Sequence, residues 1–255
     1  MINVSVVNKS TVFSDTALIS LASALQIQVT RDLFLSYGVS AKMWYTPTGM
    51  NPHPDHWALF IMDDATQAGE LGVHDVTPQG LPLAQAFAKT SAADGSPVER
   101  TASHENCEML IDSMASLCAQ IGSILYAYEV CDPPEADAAG YTITIPAGWT
   151  GAGTIVPVSN FVTPNWFQPG SAGPFDHLGL IKNPLELLPG GYISFLDLNN
   201  LRLGWQQKTA RMDDAARFRA RPHTGSRRKL RTIDIADRIR STYSPGTEAI
   251  AAEAA

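Results

Sequence analysis

Between Val98 and Gln120 the chain runs without Gly or Pro, and Met109, Leu110, Met114 and Leu117 recur at helical spacing. The span predicts a long helix, and that helix must carry the segment Ser103-His104-Glu105-Asn106-Cys107-Glu108-Met109-Leu110-Ile111-Asp112. His104 and Glu108 stand four residues apart and so lie one above the other on one face, which Asp112 extends by a further turn. An imidazole and a carboxylate placed in this way can fill two positions around a metal ion. Glu105 points about a quarter-turn aside, where a general base sits when it takes a proton without being a ligand itself. The plainer reading is a surface helix whose acids are solvated and whose histidine caps a turn.

The surrounding pattern predicts an α+β domain. Ile2 to Val7 reads as a first strand, followed by a helix from Ser14 or Asp15 to about Leu25. Val39 to Tyr45, His56 to Met62 and Leu83 to Ala88 read as strands, with Asp63 to Gly72 and Ser91 to Pro97 as loops. Beyond the long helix the chain turns β-rich, with Leu125 to Cys131, Tyr141 to Pro146, Val156 to Val162 and Tyr192 to Leu198 as strands. Pro189-Gly190-Gly191 marks a turn before the last of these.

The helix resembles the H-E-x-x-H helix of the zincin metallopeptidases, with Glu108 in place of the second histidine. More closely, the chain resembles a group of uncharacterised bacterial and phage proteins over roughly residues 55 to 200. They carry an S-H-E-x-x-E-x-x-x-D helix, an E-x-C-D-P segment (here Glu129 to Pro133) and an S-N-F-x-x-P-x-W-F segment (here Ser159 to Phe167). The resemblance implies a zincin-like mixed sheet with a long metal-binding helix, and a metal-dependent, peptidase-like hydrolase. In it Glu105 would activate a metal-held water, with peptide or protein as substrate. It also implies a third protein ligand. The metzincin pattern would place that ligand at position 114, where this chain has Met114. The gluzincin pattern favours Glu129, twenty-one residues past Glu108. Glu129 is therefore the expected third ligand, with Asp112 or Asp132 as orienting groups or alternative ligands. One histidine with two carboxylates is a hard, oxygen-rich set, so zinc comes first and manganese, iron or calcium stay open. The same ligands would also serve as a staple in a structural or interaction protein, such as a phage-particle or assembly component.

Other residues rank lower. His74, following Leu71-Gly72 on an edge strand or loop, could line a cleft, while Trp166 and Phe167 read as a hydrophobic plug over the core, with a cleft wall as the lesser reading of Trp166. Cys107 reads as a buried thiol rather than a nucleophile, and His53, His56 and His177 read as loop histidines. No Gly-rich phosphate loop or G-x-S-x-G elbow is present, which argues against nucleotide-dependent and serine-hydrolase chemistry.

The net charge of -7 conceals an asymmetry. Residues 1–200 hold 6 Lys/Arg against 19 Asp/Glu, and residues 201–255 hold 12 against 6. The shift predicts a domain over 1–205 and a basic tail over 206–255, partly disordered or docking on an acidic protein surface or nucleic acid. Three cysteines without a CxxC pair suggest a reducing compartment. Ala17 to Val29, the longest early apolar stretch, is short and broken by polar residues, so neither a signal peptide nor a membrane span is expected. The expected setting is cytoplasmic or virion-associated.

Overall fold

Val4, Val6 and Val7 are fully buried, and they make β1 (Ile2–Asn8) an interior strand of a mixed sheet. The computed structural model describes residues 1–65, 70–77, 79–135 and 137–210. The fold is α+β. Five strands make the first sheet, in the order β2 (Ala41–Thr46), β1, β3 (Trp57–Met62), β5 (Pro82–Phe87) and β4 (Gly72–Val76). The first four run parallel, and β4 closes one edge antiparallel to β5, with His74 opposite Ala84.

Helix α1 (Asp15–Ile27) crosses between β1 and β2. Ser14 caps it by accepting a hydrogen bond from the Ala17 amide, as its position before the apolar run suggested. The helical path continues as a π-turn over Gln28–Leu33 and as α2 (Phe34–Tyr37), until Gly38 stops it at φ 66°. Helix α3 (Ala88–Asp94) lies where a loop was expected, and α4 (Val98–Ile111) follows. Helix α4 packs on β5, β4 and α1, and on β9 (Ile155–Val158), which pairs with β8 (Tyr141–Thr144).

The long helix expected over 98–120 ends at Ile111. Asp112 is the reason: it leaves helical geometry at φ -114°, ψ 65°, and its Oδ1 accepts hydrogen bonds from the amides of Ser116 and Leu117. A short acidic side chain can satisfy backbone donors locally, and that competes with helix continuation. Residues up to Gln120 are then free to enter β6 (Cys118–Ile121), which pairs with β7 (Ile124–Ala127). Strand β7 also stops earlier than expected, so Glu129 and Asp132 sit in the segment just after it. The second sheet has the order β11 (Gln206–Thr209), β10 (Tyr192–Asp197), β7, β6, all antiparallel. Most of the expected basic tail, from residue 211 onward, lies outside the described residues. Among the described residues no helix is long and apolar enough to cross a membrane.

Two close approaches lock the parts around α4. In β4, a Cβ on Gly72 would stand 2.6 Å from Glu105 Cγ and 2.7 Å from Thr101 Cγ2, so only glycine lets the edge strand lie this close to the helix. At the turn before β10, a Cβ on Gly191 would fall 1.9 Å from the Pro133 carbonyl oxygen, while the Tyr192 amide donates to the Asp132 carbonyl at 3.0 Å. Gly191→Ala should therefore destabilise the protein by about 1–3 kcal/mol, the usual range for forced overpacking. Urea unfolding of the variant against wild type measures this, and an unchanged midpoint would contradict the described contact.

Candidate metal centre

Helix α4 turns an unusual face inward. Ser103, His104, Glu105, Asn106 and Glu108 are all buried on it alongside Ala102, Cys107 and Met109. The helix is held in this pose by polar contacts. Ser103 Oγ donates to Gln28 Oε1 at 2.8 Å and accepts from the Ser159 amide at 3.0 Å, and Gln28 Nε2 donates to the Ser159 carbonyl. Ser159 opens the S-N-F segment, so that motif seats the helix. Asn160, next to it, is fully buried and donates to Asp176 at 2.7 Å.

Three stretches of chain converge on the inward face. His104, Glu105 and Glu108 come from α4, and Asp112 from its C-terminal end. His74 comes from β4, while Glu129 and Asp132 come from the segment after β7. All seven side chains belong to residues no more than 8 % exposed. His104 Nε2 lies 3.3 Å from Glu108 Oε1 and 3.2 Å from Asp132 Oδ1. His74 Nδ1 lies 3.4 Å from Glu108 Oε2 and 3.7 Å from Glu105 Oε2, and its Nε2 lies 3.6 Å from Glu129 Oε2. The Cys131 amide donates to Glu108 Oε1 at 3.2 Å, fixing that carboxylate against the E-x-C-D-P segment.

These contacts define three groups whose ligand atoms lie within 4.8 Å of one another: His104, Glu108 and Asp132; His74, Asp112 and Glu129; and His74, Glu105 and Glu108. The face read from the helical spacing is thus inside the protein. His104 and Glu108 lie together, and Asp132 stands with them. Glu129, expected beside His104, has its contact with His74. Asp112 belongs with His74 and Glu129 as well, because the helix ends there and its side chain leaves the row.

His74 is the residue that sequence reasoning placed too far out. It is 1 % exposed and points into the cluster rather than along a cleft wall. Strand register and the Gly72 approach put it there, and a His-Asp pair in a five-residue strand carries no such signal. Trp166 is fully buried in the hydrophobic core, with its indole N–H donating to the Glu186 carbonyl at 2.7 Å. Phe167 beside it stacks on Tyr128. Of the other histidines among the described residues, His53 lies tilted against His56, which stacks on Trp44, and His177 stacks on Phe161.

Burial alone would lower the affinity of His104 for a proton. The charge of Glu108, hydrogen bonding to Asp132 and Glu108, and the charge of Glu105 outweigh it and hold the imidazole well above its ordinary range. Burial, with Cys107 next to it, pushes the Cys131 thiol well up, so this cysteine stays protonated as a core group. No protein-family model, no curated protein and no solved structure matches this chain.

A ring held protonated by carboxylates must give up its proton before Nε2 can bind a cation. Titrating metal-free protein with zinc at neutral pH should release about one proton from this ring when a cation takes its Nε2. Calorimetry in buffers of different ionisation enthalpy measures the release, and it should vanish in His104→Ala.

Proposed function

We propose that this chain is a metal-dependent hydrolase acting on peptide or protein substrates, with His104, Glu108 and Asp132 as the ligands of a divalent cation. The observation that carries the reading is the spacing of the donors. Two ligands each about 2.0–2.1 Å from one zinc ion stand roughly 3.3 Å apart at a tetrahedral angle. His104 Nε2 has Glu108 Oε1 at 3.3 Å and Asp132 Oδ1 at 3.2 Å. The reading takes Asp132 as third ligand in preference to Glu129 because of this distance. Zinc remains the first choice of metal, with manganese or iron next for so oxygen-rich a set.

Each residue then has a distinct task. The cation supplies Lewis-acid polarisation of a water and of a substrate carbonyl. Glu105, with its carboxylate within 4.8 Å of that of Glu108, accepts the proton from the water and delivers it to the leaving amine. Glu108 is held for its role by the Cys131 amide. The resemblance implies a mixed sheet beside the ligand-bearing helix, and the packing of α4 on β4 and β5 of such a sheet supports the same reading.

The depth of the cluster supports one other reading, in which the cation is a staple in a structural or interaction protein. The two part on Glu105. Elemental analysis should find transition metal in protein purified without chelator, and Glu108→Ala should lose it. Under the hydrolase reading, Glu105→Gln keeps the metal and lowers cleavage of a generic protein or peptide-library substrate by about 10²–10⁴-fold. Under the staple reading, Glu105→Gln is silent and His104→Ala lowers the thermal midpoint. Absence of metal from wild type, even after reloading, sinks both.

A further inference from the structure

We infer that the chain binds a second divalent cation, held by His74, Asp112 and Glu129, beside the one assigned to His104, Glu108 and Asp132. The inference rests on the reading above for the first cation and adds a site whose ligands share no residue with it.

His74 carries the argument. Its side chain is fully buried, and neither ring nitrogen makes a hydrogen bond among the described residues. Yet both nitrogens face carboxylate oxygens: Nδ1 looks at Glu108 and Glu105, and Nε2 at Glu129. A neutral imidazole has one N–H and one lone pair, so in either tautomer a lone pair would point at an anionic oxygen. A doubly protonated ring would leave both of its N–H groups without a hydrogen bond, although carboxylate oxygens stand 3.4 Å and 3.6 Å away.

A cation resolves the conflict. With the proton on Nδ1, the ring donates toward Glu108, and the Nε2 lone pair shares a cation with Glu129. Asp112 completes the set from a position that itself calls for positive charge. Its carboxylate sits at the C-terminal end of α4, where the helix dipole disfavours an anion. Oδ1 is occupied by the Ser116 and Leu117 amides, which orient the side chain.

The spacing also indicates the kind of ion. Ligands about 2.3–2.6 Å from a large, hard cation stand roughly 3.3–3.7 Å apart at right angles. The 3.6 Å between His74 Nε2 and Glu129 Oε2 falls in that range. That spacing admits a hard cation larger than zinc, and the imidazole among the donors selects manganese(II) over calcium, whose ligands are oxygens. Its place between β4, the end of α4 and the segment after β7 makes it a clamp that ties the edge strand to the two pieces that carry the first site.

The test uses the full chain, stripped with chelator, reloaded with zinc and manganese, and assayed by elemental analysis and by manganese electron paramagnetic resonance. Wild type should hold two equivalents. Asp112→Asn, which keeps the acceptor for the Ser116 and Leu117 amides, and Glu129→Gln should each hold one and lose the bound-manganese signal. Asp132→Asn should lose the other equivalent and keep that signal. Circular dichroism confirms that each variant is folded. One equivalent in wild type, lost in Asp132→Asn and unaffected by Asp112→Asn, overturns the second site and leaves the first standing. Two equivalents that neither Asp112→Asn nor Glu129→Gln reduces also overturn it. No bound metal at all overturns both sites.

Discussion

Helix α4 is buried along nearly its whole length, and much of what it buries can ionise. His104, Glu105 and Glu108 face the interior from one helix, and Asp112, His74, Glu129 and Asp132 meet them there. Taking a carboxylate out of water costs several kcal/mol after relaxation, even when a partner waits for it. Five of them around two imidazoles is an arrangement that hydrophobic burial alone would not select. A divalent cation changes the balance, because ligand attraction then replaces mutual repulsion and metal binding becomes part of folding.

The rest of the molecule reads as scaffolding for that helix. Hydrogen bonds run from Asp32 through Tyr141 and Gln28 to Ser103, linking the π-turn, the β8–β9 hairpin and α4. Burial, followed by the charge of Asp32, raises the Tyr141 phenol far above its ordinary range, so it stays a donor. Arg31 pairs with the same carboxylate through two nitrogens at 2.6 Å and 2.8 Å. Gln28 meets both Ser103 and Ser159, which explains how a polar side chain is buried completely there. On the opposite side, Gly72 and Gly191 let backbone approach where no side chain would fit. The helix is thus gripped from the π-turn, the edge strand and the turn before β10.

What could be read from the sequence followed from local rules. The i, i+4 relation of His104 and Glu108 depends only on helical geometry, and the Ser14 cap and the valines of β1 likewise report on their own neighbourhoods. The illegible parts depended on pairing or competition between distant segments. The end of α4 was set by Asp112 binding amides four and five residues onward, which an absence of Gly and Pro does not reveal. The partner of His104 was decided by the course of the chain after β7, where Glu129 and Asp132 lie close in sequence but face different histidines. His74 entered the cluster through antiparallel register with β5, a long-range property.

Glu108 is where these separate pieces become one electrostatic unit. One of its oxygens faces His104 and takes the Cys131 amide, and the other faces His74. Its charge is therefore felt on both sides, and on the proposed reading the loading of one cation would alter affinity for the other. Charge counting decides the direction. With both imidazoles neutral, the cluster of Glu105, Glu108, Asp112, Glu129 and Asp132 carries five negative charges. A first divalent cation leaves a net of about three negative charges, and a second leaves about one. The second ion still enters a negative environment, only a less attractive one. On the proposed two-cation reading, the second ion would therefore bind more weakly than the first.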